Sequence, residues 1–206
     1  MNRLRLAVLI SGTGRSLKNF IEHIDDGRLD AEIPIVVSNS QDAKGLQYAE
    51  MHSIPIRIIR AEDYKSTADF SNAMFDCCRL SKVDLVVLAG FVKLLSIPND
   101  FVGKVVNIHP SLIPSFCGKG YYGNRVHSAV ITYGAKISGC TVHFVDNEYD
   151  NGPIILQKTV PVKEDDTAET LASRVFEMEC IAYPEAINLI AKRKTQIVGR
   201  RVKISP

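Results

Sequence analysis

Leu4-Arg5-Leu6-Ala7-Val8-Leu9-Ile10-Ser11-Gly12-Thr13-Gly14-Arg15-Ser16 is the stretch on which the fold turns. Leu4 to Ile10 is apolar enough to predict a buried strand. Ser11 to Gly14 predicts a tight turn, and Leu17, Phe20, Ile21 and Ile24 then keep the spacing of one helix face. Strand, turn and helix in that order open a βαβ unit. Met1, Asn2 and Arg3 put a basic residue ahead of an apolar run, as a signal peptide does. The run is short and enters a glycine turn with no small-residue cleavage site, so the reading is a first strand.

The same alternation continues outward. Ile33 to Val37 is a second apolar run, followed by a helix pattern over Gly45 to His52. Ile54 to Ile59 predicts a third strand and Ala68 to Leu80 a third helix. Asp84 to Ala89 and Val105 to His109 are near-continuous apolar runs, as strands covered on both faces require. Repeated units of this length predict an α/β fold with a doubly wound, mostly parallel sheet. Beyond it, Ser138 to Val145 and Ile154 to Val162 predict two strands joined by an acidic turn, Asp146 to Pro153. Asp166 followed by Glu169 predicts the capped start of a long helix, which Pro184 should kink or divide. Gln196 to Ile204, around Gly199, predicts a small C-terminal hairpin. With no repeat, low-complexity tract or linker, residues 1–206 read as a single domain.

The 206 residues are 46% hydrophobic and 23% charged, with a formal net charge of +2, an ordinary composition for a folded domain. That charge gives no case for nucleic-acid or membrane partners, and no segment has the length of a bilayer span. The basic run Lys192, Arg193, Lys194, Arg200, Arg201 and Lys203 reads as a solvated helix end. Five cysteines (Cys77, Cys78, Cys117, Cys140 and Cys180) are odd in number and form no C-x-x-C pair. They predict reduced thiols, a cytoplasmic location and no metal site. Cys117, in a loop with no base beside it in sequence, reads as a structural thiol.

Three stretches carry chemistry. The Ser11–Ser16 turn can hold an anion, because its glycines admit close backbone approach and the helix start directs free N–H groups outward. It lacks both the Gly-Lys-Ser/Thr ending of a Walker loop and the third glycine of a dinucleotide fingerprint, so a plain strand-to-helix turn explains it equally well. Asn107-Ile108-His109-Pro110 places two polar residues, i and i+2, on one side of a strand end, where open α/β sheets bind ligands. Asp150, in the acidic turn, reads either as a solvated turn residue or as a carboxylate partner for His109. In the second case Asn107 and His109 stabilise an oxyanion and Asp150 supports the imidazolium.

Leu88-Ala89-Gly90-Phe91, Asn107-Ile108-His109-Pro110-Ser111-Leu112 and Thr141-Val142-His143-Phe144-Val145 with the Asp150 turn resemble the glycinamide ribonucleotide formyltransferases, a folate-dependent family of purine synthesis. The resemblance also takes in Val8 to Leu17, Asp84 to Ser96 and Gly139 to Gln157, nearly the whole chain in register. It implies a seven-stranded, mainly parallel sheet and transfer of formyl from 10-formyltetrahydrofolate to the amine of 5′-phosphoribosylglycinamide, without metal. It implies Asn107, His109 and Asp150 as catalytic residues, with Thr141 and His143 lining the site. Gly14, Arg15, Ser16 and Glu179 fall at positions that hold the nucleotide substrate. Val92, Lys93, Leu94, Leu95, Asn107 and the loop Asp146, Asn147, Glu148, Tyr149 and Asp150 fall at those that hold the folate.

The sequence departs from the family at several points. Arg15-Ser16 replaces a hydroxyl residue followed by asparagine. Phe176 stands where a basic residue precedes the matched Glu179. Thr67, with Lys65 close by, stands near an arginine thought to contact folate. Phe116 to Gly123 replaces a short loop and, with three glycines, predicts a mobile lid. These departures leave open another amine acceptor, hydrolysis of formyl-folate by water, or a non-catalytic folate or nucleotide sensor. The last is opposed by the intact Asn107, His109 and Asp150.

Overall fold

A computed structural model describes residues 3–205. The chain divides into two compact units, one running up to Asn107 and the other starting at Ile108.

In the first unit, β1 (Leu4–Ile10), β2 (Ala31–Ser38), β3 (Ile56–Ile58), β4 (Leu85–Leu88) and the start of β5 (Val105–His109) alternate with α1 (Arg15–Asp25), α2 (Leu46–Met51) and α3 (Thr67–Leu80). Every strand pairing in this unit is parallel, in the order β3-β2-β1-β4-β5. Leu6 to Ile10 are fully buried, as are Val36, Val37, Val86, Val87, Val105 and Val106. Helices cover them through Leu17, Phe20 and Ile21 of α1 and Phe70, Met74 and Phe75 of α3. Burying a side chain of this kind stabilises by about 1.5–3 kcal/mol. Ser66 caps α3, its hydroxyl accepting from the Asp69 amide at 3.1 Å. α1 starts after Gly14, its N-cap, without a side-chain cap hydrogen bond.

The second unit holds the end of β5, α4 (Asn124–Tyr133), β6 (Ile137–Phe144), β7 (Ile154–Pro161), α5 (Ala168–Ala191) and a C-terminal hairpin of β8 (Thr195–Val198) and β9 (Arg201–Ile204). β6 and β7 are antiparallel, β7 and β9 parallel, β8 and β9 antiparallel. α5 lays Leu171, Val175, Ala182, Tyr183, Ala186 and Ile187 into the core of this unit. Nine strands are thus described, seven of them before the hairpin, and the α/β class stands.

Three expectations change. α5 starts at Ala168 with Thr167 as its cap, the Thr167 and Thr170 hydroxyls exchanging bonds with each other's amides. Asp166 is instead tied to Arg174 by two bonds of 2.8 Å. Pro184 does not divide the helix, which runs 24 residues through it. The lost bond is tolerated because Tyr183, Pro184, Ala186 and Ile187 sit in a packed interior. The sequence does not predict α4, because Val126, Val130, Ile131 and Thr132 give it the β-branched composition of a strand.

Candidate functional site

In the first unit, the glycine turn is built by the backbone. Gly14 adopts φ +68°, and a Cβ on it would lie 2.4 Å from the Gly45 Cα; one on Gly45 would lie 2.6 Å from the Gly14 Cα. The Gly45 amide donates to the Gly12 carbonyl at 2.9 Å. Two backbones therefore touch where no side chain fits, and the turn is held open toward the start of α1. Gly14 caps that helix, and Arg15 and Ser16 open it. Gly45 is legible in sequence only as a helix start; nothing there pairs it with Gly14. The Ser11 hydroxyl accepts from the Val92 amide at 3.1 Å, tying the 92–95 segment to the same turn. Val92 is exposed and Leu95 buried, so the segment does not present all four side chains alike. Asn107 closes this unit at the end of β5, paired in register with Leu88.

In the second unit, side chains do the building. His109, two residues after Asn107, is buried, and its Nδ1 lies 3.4 Å from Asp150 Oδ2. Its Nε2 lies 2.9 Å from the Phe116 carbonyl. A carbonyl only accepts, so Nε2 carries the proton and donates. His143, also buried, is fixed the same way: Nδ1 donates to the Phe144 carbonyl at 2.8 Å, and Nε2 looks at Asp150 Oδ1 from 3.8 Å. Burial holds the His143 imidazole below its ordinary pKa, with the Phe144 carbonyl and Asp150 pulling the other way. Asp150 thus stands between two ring nitrogens that carry lone pairs when the rings are neutral. One proton placed in this cluster satisfies the carboxylate and a ring together.

Asp150 itself adopts φ +52°, a conformation that aspartate tolerates better than most residues. Its Oδ2 also accepts from the Gly118 amide at 2.9 Å. The turn carrying it packs against the end of β6, where a Cβ on Gly152 would lie 1.8 Å from the Phe144 carbonyl. Asp146 closes the turn from within, Oδ1 accepting from the Glu148 amide and Oδ2 from Asn151 Nδ2, both at 2.9 Å. Thr141 is buried, and its hydroxyl is committed to the main chain. It donates to the Ser111 carbonyl at 2.7 Å and accepts from the Ile113 amide at 3.1 Å and Gln157 Nε2 at 2.9 Å. Its work is to hold the chain that follows His109. Glu179 lies midway along α5, near enough to Cys140 to help burial push that thiol up to about 12.

The 116–123 segment lies down on this cluster through its main chain. Phe116 sits at φ +50°, its ring edge-on to Tyr133 with centroids 5.6 Å apart. The roles of the Phe116 carbonyl and the Gly118 amide are invisible in sequence, because main-chain groups carry no residue signature. Cys117 Sγ donates to the Pro114 carbonyl at 3.3 Å, and burial first, then Asp150, raises its pKa. A thiol so held is a poor nucleophile. Among the described residues no cluster of His, Cys, Asp and Glu is arranged to hold a metal ion, and no helix is long and apolar enough to cross a membrane.

The family described as Formyl transferase matches residues 4–187. The chain belongs to this family. It is 35% identical over 195 residues to the phosphoribosylglycinamide formyltransferase of Haemophilus influenzae, covering 94% of this chain and 90% of that protein. It is 44% identical over 205 residues to the trifunctional purine biosynthetic protein adenosine-3 of Gallus gallus, covering 98% of this chain and 20% of that protein. The chain therefore spans about a fifth of the length of that trifunctional relative. Among solved structures, glycinamide ribonucleotide transformylase 1 from Symbiobacterium toebii superposes with a TM-score of 0.94 at 38% identity, covering all of this chain and 95% of that one.

Proposed function

We propose that this chain, acting as a single formyltransferase domain over residues 1–206, transfers the formyl group of 10-formyltetrahydrofolate to the amine of 5′-phosphoribosylglycinamide in de novo purine synthesis. The observation that carries the reading is the buried His109–Asp150 pair, 3.4 Å apart, two residues beyond Asn107 on β5. Membership of the formyl transferase family and relatives named for this reaction support it. Its substrates are small molecules, with no role for nucleic acid, membrane or metal. Five cysteines, all free, agree with a reducing, cytoplasmic location.

In this reading the substrate amine attacks the formyl carbon directly. Asn107 Nδ2 and the imidazolium of His109 donate to the oxyanion that forms. The attacking nitrogen loses a proton to the His109–Asp150 pair, and the departing folate nitrogen gains one as its bond to carbon breaks. His143 faces the far oxygen of Asp150 through Nε2 at 3.8 Å, and it helps hold the carboxylate only when a proton lies between the two acceptors. The His109 Nε2–H is held by the Phe116 carbonyl in this structure, so opening of the 116–123 segment is the step that frees it. Gly14, Arg15, Ser16 and Glu179 take the nucleotide end of the acceptor, Arg15 supplying the phosphate cation that Phe176 does not. Val92 to Leu95 and the Asp146–Asp150 turn take the folate.

The test is product identification with purified protein, formyl-folate and phosphoribosylglycinamide. N-formylated product that forms only when the amine is present supports the reading. Formyl-folate consumed equally without the amine makes the protein a hydrolase, and no turnover with either substrate set removes the enzymatic reading altogether.

A further inference from the structure

The C-terminal hairpin begins at Thr195, beyond residue 187 where the family match ends, and the function above gives it no task. Its placement supplies one. At the tip between β8 and β9, the Arg200 guanidinium reaches the acidic turn, Nη2 donating to the Asn151 carbonyl at 2.8 Å and Nη1 to Asn151 Oδ1 at 3.3 Å. The amide nitrogen of that same Asn151 side chain donates to Asp146 Oδ2 at 2.9 Å. Asp146 in turn holds the Glu148 amide. Arg201, the next residue, is where β9 pairs with Ile154 of β7, so the hairpin is anchored to the strand that leaves the turn.

Asp150 lies directly before Asn151 and adopts φ +52°, a sparsely populated conformation for a residue with a Cβ. Such a residue persists where its surroundings over-determine it. Arg200 holds the Asn151 side chain by its oxygen and Asp146 holds it by its nitrogen; without Arg200, the side chain keeps one of these two contacts and the Asn151 carbonyl loses its 2.8 Å bond. We propose that Arg200 is a positioning residue for Asp150, and that the hairpin is a brace holding the Asp150 turn in the shape that aims its carboxylate at His109. The proposal rests on the catalytic reading of Asp150. A planar guanidinium suits the task because it presents two donors in a fixed fork to the two oxygens of one residue, which an ammonium on a flexible stem does not.

The arginine is exposed, so its bonds matter for the turn and not for the global fold. Arg200→Ala is expected to lower kcat roughly tenfold, as displacements well under an ångström at a reacting group can do. The KM values for formyl-folate and for the amine should stay within about twofold, because no binding contact is removed. Arg200→Gln, whose side-chain amide still donates to the Asn151 carbonyl, should recover more of the loss than Arg200→Lys. Amide exchange at Glu148 to Gly152 should quicken in Arg200→Ala while the melting temperature hardly moves. In an Asp150→Asn background, Arg200→Ala should have little further effect on kcat, because the group it positions is already gone.

An unchanged kcat and unchanged exchange in Arg200→Ala overturn the brace. So does a raised KM with kcat and exchange unaltered, which makes Arg200 a ligand contact. Better recovery by Lys than by Gln assigns the effect to charge and also overturns it. Should the wild-type protein show no formyl transfer, the catalytic reading falls by itself, and the exchange measurement still decides whether Arg200 holds the turn.

Discussion

The two glycine-bearing loops of this chain solve opposite problems. In the Ser11–Ser16 turn, Gly14 and Gly45 exist because two backbones touch; a Cβ on either would overlap the other's Cα. In the 116–123 segment, Gly118 and Gly120 have open space around them and are needed only for their φ of +90° and +95°. The first loop is rigid by packing and offers main-chain N–H groups at a helix start. The second is pinned by two hydrogen bonds to titratable side chains, His109 and Asp150. Binding chemistry made of backbone is immune to pH and intolerant of substitution, whereas chemistry made of side chains has the reverse properties. Four tests break or sharpen that contrast.

The largest effect belongs to the side-chain cluster. His109→Ala should lower kcat by ~10²–10³, the typical loss on removing an oxyanion donor, and Asp150→Asn should also lower it steeply. The double variant should fall far short of the product of the two, since residues that act as a unit are not additive. A position at a strand end suggests little cost to folding, but His109 is buried and bonded to Phe116. His109→Ala should therefore cost about 0.5–1.5 kcal/mol for the hydrogen bond it removes, the Ser111 hydroxyl still reaching the Phe116 carbonyl at 3.3 Å. Steady-state kinetics and thermal melts on the three proteins check this, and near-normal turnover in His109→Ala would remove the mechanism.

Gly14→Ala should do the opposite and act on the fold first. Overpacking against the Gly45 backbone, together with an alanine at φ +68°, should cost roughly 2–4 kcal/mol. In a chain of this size each kcal/mol moves Tm by about 2–4 °C. Binding of the phosphorylated acceptor should weaken with it, while kcat at saturation changes far less than in His109→Ala. A Gly14→Ala protein with wild-type Tm would show that the two backbones can part, and the contrast between the loops would be lost.

The third test uses pH. Burial lowers the His143 pKa from its ordinary 6.5. In the unfolded chain the ring protonates near that value, whereas in the folded protein it resists. The unfolded state then binds more protons, and stability rises with pH across the window. His143 therefore contributes fully above about 6.5, and its contribution is lost as pH falls below that value. Asp166, lowered chiefly by its bonds to Arg174, loses its contribution as pH falls through the ordinary carboxylate range and below it, a window on the acid side of that of His143. His143→Gln should flatten the slope of Tm against pH just below 6.5 and leave the stronger-acid slope alone. An unaltered slope would mean that His143 is not held neutral.

Most of the fold is legible in the sequence because each element is locally consistent. Leu4 to Ile10 and Val105 to His109 are bounded to the residue, since an apolar run ends where a glycine or proline must begin a turn. α4 is not legible, because β-branched residues write a strand's composition onto a helix that packing enforces. At the site, Asn107 and His109 stand out by type and spacing, whereas Asp150 reads equally as a turn residue until the family resemblance singles it out. The groups that hold His109 and Asp150 do not: the Phe116 carbonyl and Gly118 amide belong to the backbone, and Arg200 lies 50 residues downstream of Asp150. Sequence shows which residues can do chemistry, and only the folded chain shows what aims them.

The smallest effect is the finest test of the contrast. At Gly120 nothing lies within 4 Å of the point a methyl group would occupy, yet φ is +95°, so alanine meets no atom and only its own backbone objects. That strain is on the order of 1 kcal/mol, and it is partly offset by the lower chain entropy of alanine in the unfolded state, worth about 0.4–1 kcal/mol. The net should fall on the 116–123 segment alone, so Tm should move by no more than about 1–2 °C. The closed arrangement should become less populated by no more than a factor of about three, and amide exchange at Gly118 should quicken accordingly. Because opening frees the His109 Nε2–H from Phe116, kcat should hold or rise in Gly120→Ala, where every change at Gly14 lowers function. A Gly120→Ala protein that melts as early as Gly14→Ala would mean the second loop is also built by packing, and that its bonds to His109 and Asp150 are a consequence of that packing and not its anchor.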